Sequence, residues 1–251
     1  MPVTSFRPHL KAWLLADKIE TLTGLFGIGQ LPTGEKDPFA LRRHALGILR
    51  MLIEKELPLS LDKLIAIGTE EESVVPGVKD ATEELKQFFH DRLRVMQKDQ
   101  GFTAHEVESV IGSEPAILAD VPKRLKAVHD FMSLPEAESL AAANKRIENI
   151  LKKNTLPLAD AVDPALLTEK EEKDLYEAIR TLEPKLEADY KAGRYEDELR
   201  SLAPLKAPVD AFFDKVMVNA EDEALRRNRL TLLNELHKAM NQVAKLSCLA
   251  S

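Results

Sequence analysis

One cysteine, Cys248, is present in 251 residues, so no internal disulfide can form and no paired-cysteine zinc site can be built. That scarcity fits a reducing compartment. Aromatic residues make up only 5% of the chain. No apolar run approaches the roughly 18 residues of a membrane span, and "MPVTSFRPHLKAWLLADK" lacks the uninterrupted apolar stretch of a signal peptide. The expectation is a soluble, cytoplasmic protein with no membrane partner. An excess of positive charge is missing too: 35 Lys and Arg stand against 42 Asp and Glu, a net charge of −7. Unselective binding through phosphate contacts needs a basic surface, so DNA is not an expected partner, although a local basic face is still allowed. The 17 cations and 22 anions before Lys145 leave that part at −5, and the remainder is at −2.

Strand signals are missing as well, and helical periods take their place. In "DPFALRRHALGILRMLIEKELP", Leu41, Ala45, Ile48, Leu49, Leu52 and Ile53 form one apolar face. Asp37 and Pro38 read as its N-cap and first position, and Pro58 as its stop. "ATEELKQFFHDRLRVMQKDQG" carries Leu85, Phe88, Phe89, Leu93 and Met96 on one stripe. "EAESLAAANKRIENILKKN" spaces Leu140, Ala143, Ile147, Ile150 and Leu151 helically, and Lys152 and Lys153 suit the negative pole of the helix. A helix begins near Glu169 and ends at the turn "AGRY"; a further one is interrupted near Pro204 and Pro208. The last sets Leu225, Leu232, Leu236, Met240 and Val243 on one face. The fold class is all-α and multi-helical, with a first boundary in the polar "GTEEESVVPG".

Few motifs carry chemistry. Gly29 and Gly34 in "GQLPTGEKDPFALRR" have phosphate-loop spacing, but Glu35 and Lys36 follow where Lys then Ser or Thr is required. This is a loop delivering the chain to a helix start. His90 and Asp91 form a histidine–aspartate dipeptide in mid-helix "FFHDRL", better read as solvated helix surface than as metal ligands. No histidine spacing suits a metalloprotease, no G-x-S-x-G elbow is present, and Cys248 reads as a small apolar contact. No catalytic residue and no metal ligand is assigned. "NKRIENILKKN" is different: Lys145, Asn149 and Lys152 share a helix face, with Arg146 and Lys153 beside them. Such donors serve phosphate and base-edge contacts, and a merely solvated basic face is the alternative. "LRRNRL" adds Arg226, Arg227, Asn228 and Arg229 in one turn, with the same ambiguity.

These segments also match a family pattern. "LLADKIETLTGLFGIGQLPTGEKDPFALRRHALGILR", "AAANKRIENILKK" and "VDAFFDKVMVNAEDEALRRNRLTLL" resemble, in order, parts of the β subunit of bacterial glycyl-tRNA synthetases. The likeness covers nearly the whole chain, which corresponds to roughly the C-terminal third of a β chain, either an excised fragment or a truncated gene product. It implies three parts: 1–68, the end of a helical domain related to histidine–aspartate phosphohydrolases; 69–135, a helical connection; and 136–251, a helical anticodon-binding bundle. It puts Asp17 at that domain's last aspartate position, without the upstream histidines. It also implies that Phe212, Phe213, Val216 and Met217 build the core of the bundle, and that Asp214 and Asn219 organise the turn before the last helix.

The function so implied is tRNA binding for a glycine–tRNA ligase, with the anticodon arm recognised here. Glycine and ATP would be used on the α subunit of an α2β2 assembly, leaving this chain with no cofactor of its own. Candidate tRNA contacts, chosen for charge and placement, are Lys145, Arg146, Asn149, Lys152, Arg226 and Arg229. Two other readings stay open: a helical protein-interaction scaffold, and a degenerate metal-dependent phosphohydrolase fragment.

Overall fold

The structure, a computed structural model, describes the backbone of residues 7–72 and 77–250, and side chains at 12–70 and 77–250. The start of the N-terminal stretch and residues 73–76 of the expected boundary loop lie outside the described residues. Among those described the fold is all-α, with isolated bridges at Thr33–Lys36 and Ser60–Ile117 as the extended pairings. Two compact units divide the chain: Met1–Phe102 with Glu114–Pro122, and Thr103–Ser113 with Lys123–Ser251.

The first unit holds α1 (Arg7–Gly27), α2 (Leu41–Glu54), α3 (Leu61–Glu72) and α4 (Thr82–Asp99). All six apolar positions expected of α2 are buried, and they meet Ile19, Leu22 and Phe26 of α1 and Leu85, Phe89 and Leu93 of α4 in one core. Gly68 permits the approach of α1 to α3, because a Cβ there would lie 2.8 Å from Thr23 Cγ2. Phe88 is only half-buried and packs its ring on Phe26, centroids 5.1 Å apart.

The start of α2 corrects the expectation. Its first residue is Leu41, and the residue before it, Ala40, is left-handed at φ 55°. Asp37 still caps, from further back: Oδ1 accepts from Leu41 N–H at 2.8 Å and Oδ2 from Arg42 N–H at 3.0 Å. Pro38 therefore belongs to the turn leading in rather than to the first helical position. The Gly29–Gly34 stretch is a tight loop with positive φ at both glycines, tied to α2 by Arg42 donating to the Gly34 carbonyl.

The second unit contains α5 (Ala104–Ile111), most of α6 (Val121–Met132), α7 (Ala137–Lys153), α8 (Lys170–Lys191), α9 (Tyr195–Arg200), α10 (Lys206–Lys215) and α11 (Glu223–Met240). Pro204 sits in a one-turn 3-10 segment before α10, so the expected interruption is there. Helix α7 packs on α10 and α11, and the 3-10 turn Leu246–Leu249 lies against both α5 and α7. The buried face of α7 is Ala137, Leu140, Ala141, Asn144 and Ile147; Ala143, Ile150 and Leu151 are only half-buried. The face is rotated toward two alanines because small side chains let neighbouring helices come close.

Two members of the expected core depart from it. Phe212 and Val216 are buried, Phe213 is half-buried, and Met217 is 73% exposed. The Met217 backbone carbonyl is held inside by Arg229, so its side chain is turned out. The cap of α11 comes from Asp222, whose side chain accepts from Leu225 N–H at 3.0 Å, rather than from Asp214 or Asn219.

A polar knot ties the unit together. Arg124 donates to the Gln242 and Val243 carbonyls at 3.1 and 2.8 Å and to the Tyr190 hydroxyl at 2.9 Å, and lies over the rings of Tyr190 and Tyr195. Nearby Glu198 is fully buried with neither carboxyl oxygen hydrogen-bonded. Burial pushes this carboxyl up to about 8 against the pull of Arg124.

Candidate nucleic-acid interface

Because α7 buries Ala137, Leu140, Ala141, Asn144 and Ile147, helical geometry turns another stripe outward. Ala142, Lys145, Arg146, Asn149, Ile150 and Lys153 follow one another at spacings of three, one, three, one and three. Together they line an open groove of about 430 Å³. Three of the six candidate contacts, Lys145, Arg146 and Asn149, thus share one surface, all exposed. Lys153, which the candidate set omitted, extends the stripe by a turn.

The groove's cations are held differently. Lys145 Nζ donates to the Ala250 carbonyl at 3.3 Å, which fixes the position of its ammonium. Arg146 lies with its guanidinium carbon 4.1 Å from the centre of the Phe213 ring, a cation–π stack that explains why Phe213 is only half-buried. Lys152 turns off the stripe and pairs with Glu148 at 2.6 Å, and Lys245 reaches the same carboxylate at 3.0 Å. Burial works against the charge on Glu148, yet hydrogen bonds from Lys152, Ser247 and Lys245 outweigh it and bring the carboxyl down to about 2. Lys152 and Lys245 thus share one carboxylate rather than facing the groove.

The arginines of α11 do not join the groove. Arg229 is buried: it donates to Glu172 Oε1 at 2.5 Å, to the Met217 carbonyl at 2.8 Å and to the Thr168 hydroxyl at 3.3 Å. Asn228 exchanges two hydrogen bonds with the backbone of Asp163, and Arg227 donates to the Pro157 carbonyl, so both clamp the segment between α7 and α8. Arg226 is half-buried and is absent from the groove lining. Phe213, like Met217 expected in the core from the resemblance, instead supports Arg146; the spacing of α7 gives no hint of what packs on it.

Elsewhere the chemistry is sparse. His90 is half-buried, and burial lowers its pKa; Asp91 beside it bonds Gln87 and Arg94. Asp17 is exposed, and burial raises the Cys248 thiol. Among the described residues no group of three or more His, Cys, Asp or Glu side chains could hold a metal ion, and no helix is long and apolar enough to cross a membrane.

Residues 11–112 match the family model described as glycyl-tRNA synthetase beta subunit, and residues 140–247 match that of the DALR anticodon binding domain, which includes the α7 groove and all of α11. Over 94% of its length the chain is similar to glycine–tRNA ligase beta subunits: 55% identical to that of Delftia acidovorans, 56% to that of Leptothrix cholodnii and 54% to that of Dechloromonas aromatica. It spans 33% of the length of each of these relatives. On these matches the chain is similar to a C-terminal portion of glycine–tRNA ligase beta subunits.

Proposed function

We propose that the second unit grips the anticodon arm of glycine tRNA in the groove of α7, as the tRNA-holding part of a glycine–tRNA ligase. The observation that carries this reading is the convergence of Lys145, Arg146, Asn149 and Lys153 on one open surface, inside the segment matching an anticodon-binding domain. Ammonium groups take phosphates, an amide reads a base edge, and exposed anticodon-loop bases are the single-stranded target that proteins read on RNA. The overall charge of −7 supports selectivity, since a net negative surface disfavours unselective RNA contact.

In this reading the partner is an α subunit of the same cytoplasmic ligase, which uses ATP to activate glycine. This chain holds no cofactor of its own. Its contribution is positional: holding the anticodon arm brings the acceptor end to the reacting centre and raises the effective concentration there.

The test is binding of glycine tRNA and a non-cognate tRNA across a salt series. Lys145→Ala and Lys153→Ala should each weaken glycine tRNA binding and reduce the salt slope by roughly 0.7 to 0.9. Lys152→Ala should change it far less, because its charge is already paired with Glu148. Equal binding by wild type and both groove variants would overturn the reading.

A further inference from the structure

Of the arginines of this unit that lie over aromatic rings, Arg124, Arg146 and Arg180, the first two differ in kind. Arg124 is buried and its guanidinium donates to protein acceptors, so its place over Tyr190 and Tyr195 is internal scaffolding. Arg146 is exposed, lines the groove, and among the described residues makes no ion pair that would consume its charge. Phe213 beneath it is itself fixed edge-on against buried Phe212, ring centres 5.6 Å apart at 80°. With its guanidinium carbon 4.1 Å from the ring centre, Arg146 has one side taken by Phe213. Its edge and its other side are left to the groove.

We infer that Arg146, placed over the Phe213 ring, is a stacking platform for one unpaired nucleobase, distinct from the phosphate contacts of Lys145 and Lys153. This rests on the reading that the α7 groove binds RNA, and it names what one part of that groove takes. A phosphate needs only a point charge, which an ammonium supplies without a plane. A base needs a rigid plane, and the cost of ordering a long arginine is met in advance when the arginine is already stacked. Stacked aromatic and guanidinium planes are what single-stranded RNA sites use for splayed bases. Asn149, one turn along on the same stripe, brings an amide beside the platform, where the Watson–Crick edge of a stacked base would be read.

Charge and plane are separable by substitution. Arg146→Lys keeps the charge and removes the plane, and because Arg146 is exposed the variant folds as wild type does. The experiment measures binding of glycine tRNA transcripts to the wild-type chain, Arg146→Lys and Lys153→Ala, using the unmodified transcript and a series in which single anticodon-loop nucleotides lack their base. Arg146→Lys is expected to lose roughly 5- to 150-fold in affinity, the range of one stacked base, with an unchanged salt slope. One base-free position is expected to cost wild type the same factor and to cost Arg146→Lys nothing further.

Wild-type affinity in Arg146→Lys, or equal losses at every base-free position in both proteins, would overturn the platform. The underlying reading fails separately. If Lys153→Ala leaves tRNA binding unchanged while Arg146→Lys does as well, the groove is not the RNA site. A loss in Lys153→Ala alone keeps the groove and removes the platform.

Discussion

The guanidinium of Arg229 and the carboxylate of Glu172 meet at 2.5 Å inside the second unit, with side chains only 7% and 0% exposed. Glu172 is also the third residue of α8, and its Oε2 accepts from the Thr168 and Glu169 N–H groups at 2.9 and 2.7 Å. One carboxylate thus fastens α11 to the first turn of α8. Burial raises its pKa, but the arginine and the backbone donors outweigh this and hold it below the ordinary range.

Removing the arginine strands a buried charge. Arg229→Ala should cost about 3–5 kcal/mol, visible as a lowered urea midpoint with unchanged slope. Arg229→Met combined with Glu172→Gln should recover part of that loss, because glutamine accepts the two capping N–H groups without a charge to be paired.

Glu198 makes stability fall as pH rises. Its folded carboxyl is pushed up to about 8 from an ordinary 4.5, so between those values the folded chain holds a proton that the unfolded chain releases. Stability declines across that interval and levels off above it. Glu198→Met, which removes a carboxyl without hydrogen-bond partners, should raise the melting temperature near pH 8 and flatten its pH dependence; near pH 5 the gain should be small. Thermal unfolding across that range checks it.

Asp37 supplies both of the caps identified at the start of α2. Asp37→Ala should lose about 1–2 kcal/mol, while Asp37→Asn should lose less because an amide oxygen still accepts one N–H. Chemical denaturation of the three proteins distinguishes these losses. Ala40→Gly should offset part of the deficit, since φ 55° is unstrained only for glycine.

Gly68→Ala tests the close approach of α1 and α3. The added Cβ would meet Thr23 Cγ2 at 2.8 Å and Ile19 Cγ2 at 3.0 Å, both on branched side chains with little room to turn. A loss of about 1–3 kcal/mol is expected, from overpacking rather than from altered helix propensity, which alone favours alanine. Equal or higher stability of Gly68→Ala in a denaturant titration would contradict the close approach.

Periodicity made the helices legible where one face is continuous and apolar. All six α2 positions are buried as the spacing requires. It was less informative for α7, because its packing surface includes Ala141 and the buried amide of Asn144, residues that hydrophobic patterning does not count. Charge at helical spacing put Lys145 and Asn149 on one face with Lys152, whereas the groove takes Arg146 and Lys153 and leaves Lys152 out. Charge alone could not separate Arg146 from Arg229. Both are arginines at helix positions, and only the tertiary partner, Phe213 for one and Glu172 for the other, leaves the first outside and draws the second in. The αL residue before α2 escaped for a similar reason: an Asp–Pro pair signals a helix start, and the turn inserted between cap and helix depends on Arg42 reaching back to Gly34.

The ammonium of Lys145 rests on the carbonyl of Ala250, 105 residues later in the chain, and Glu148 is bridged to Lys245 beyond it. During synthesis that interval lasts roughly 5–20 s at ordinary elongation rates. For that time α7 has left the ribosome with its groove rim unfastened and Glu148 paired only by its neighbour Lys152. A nascent chain therefore exposes the basic stripe before Ala250 and Lys245 can shape its rim.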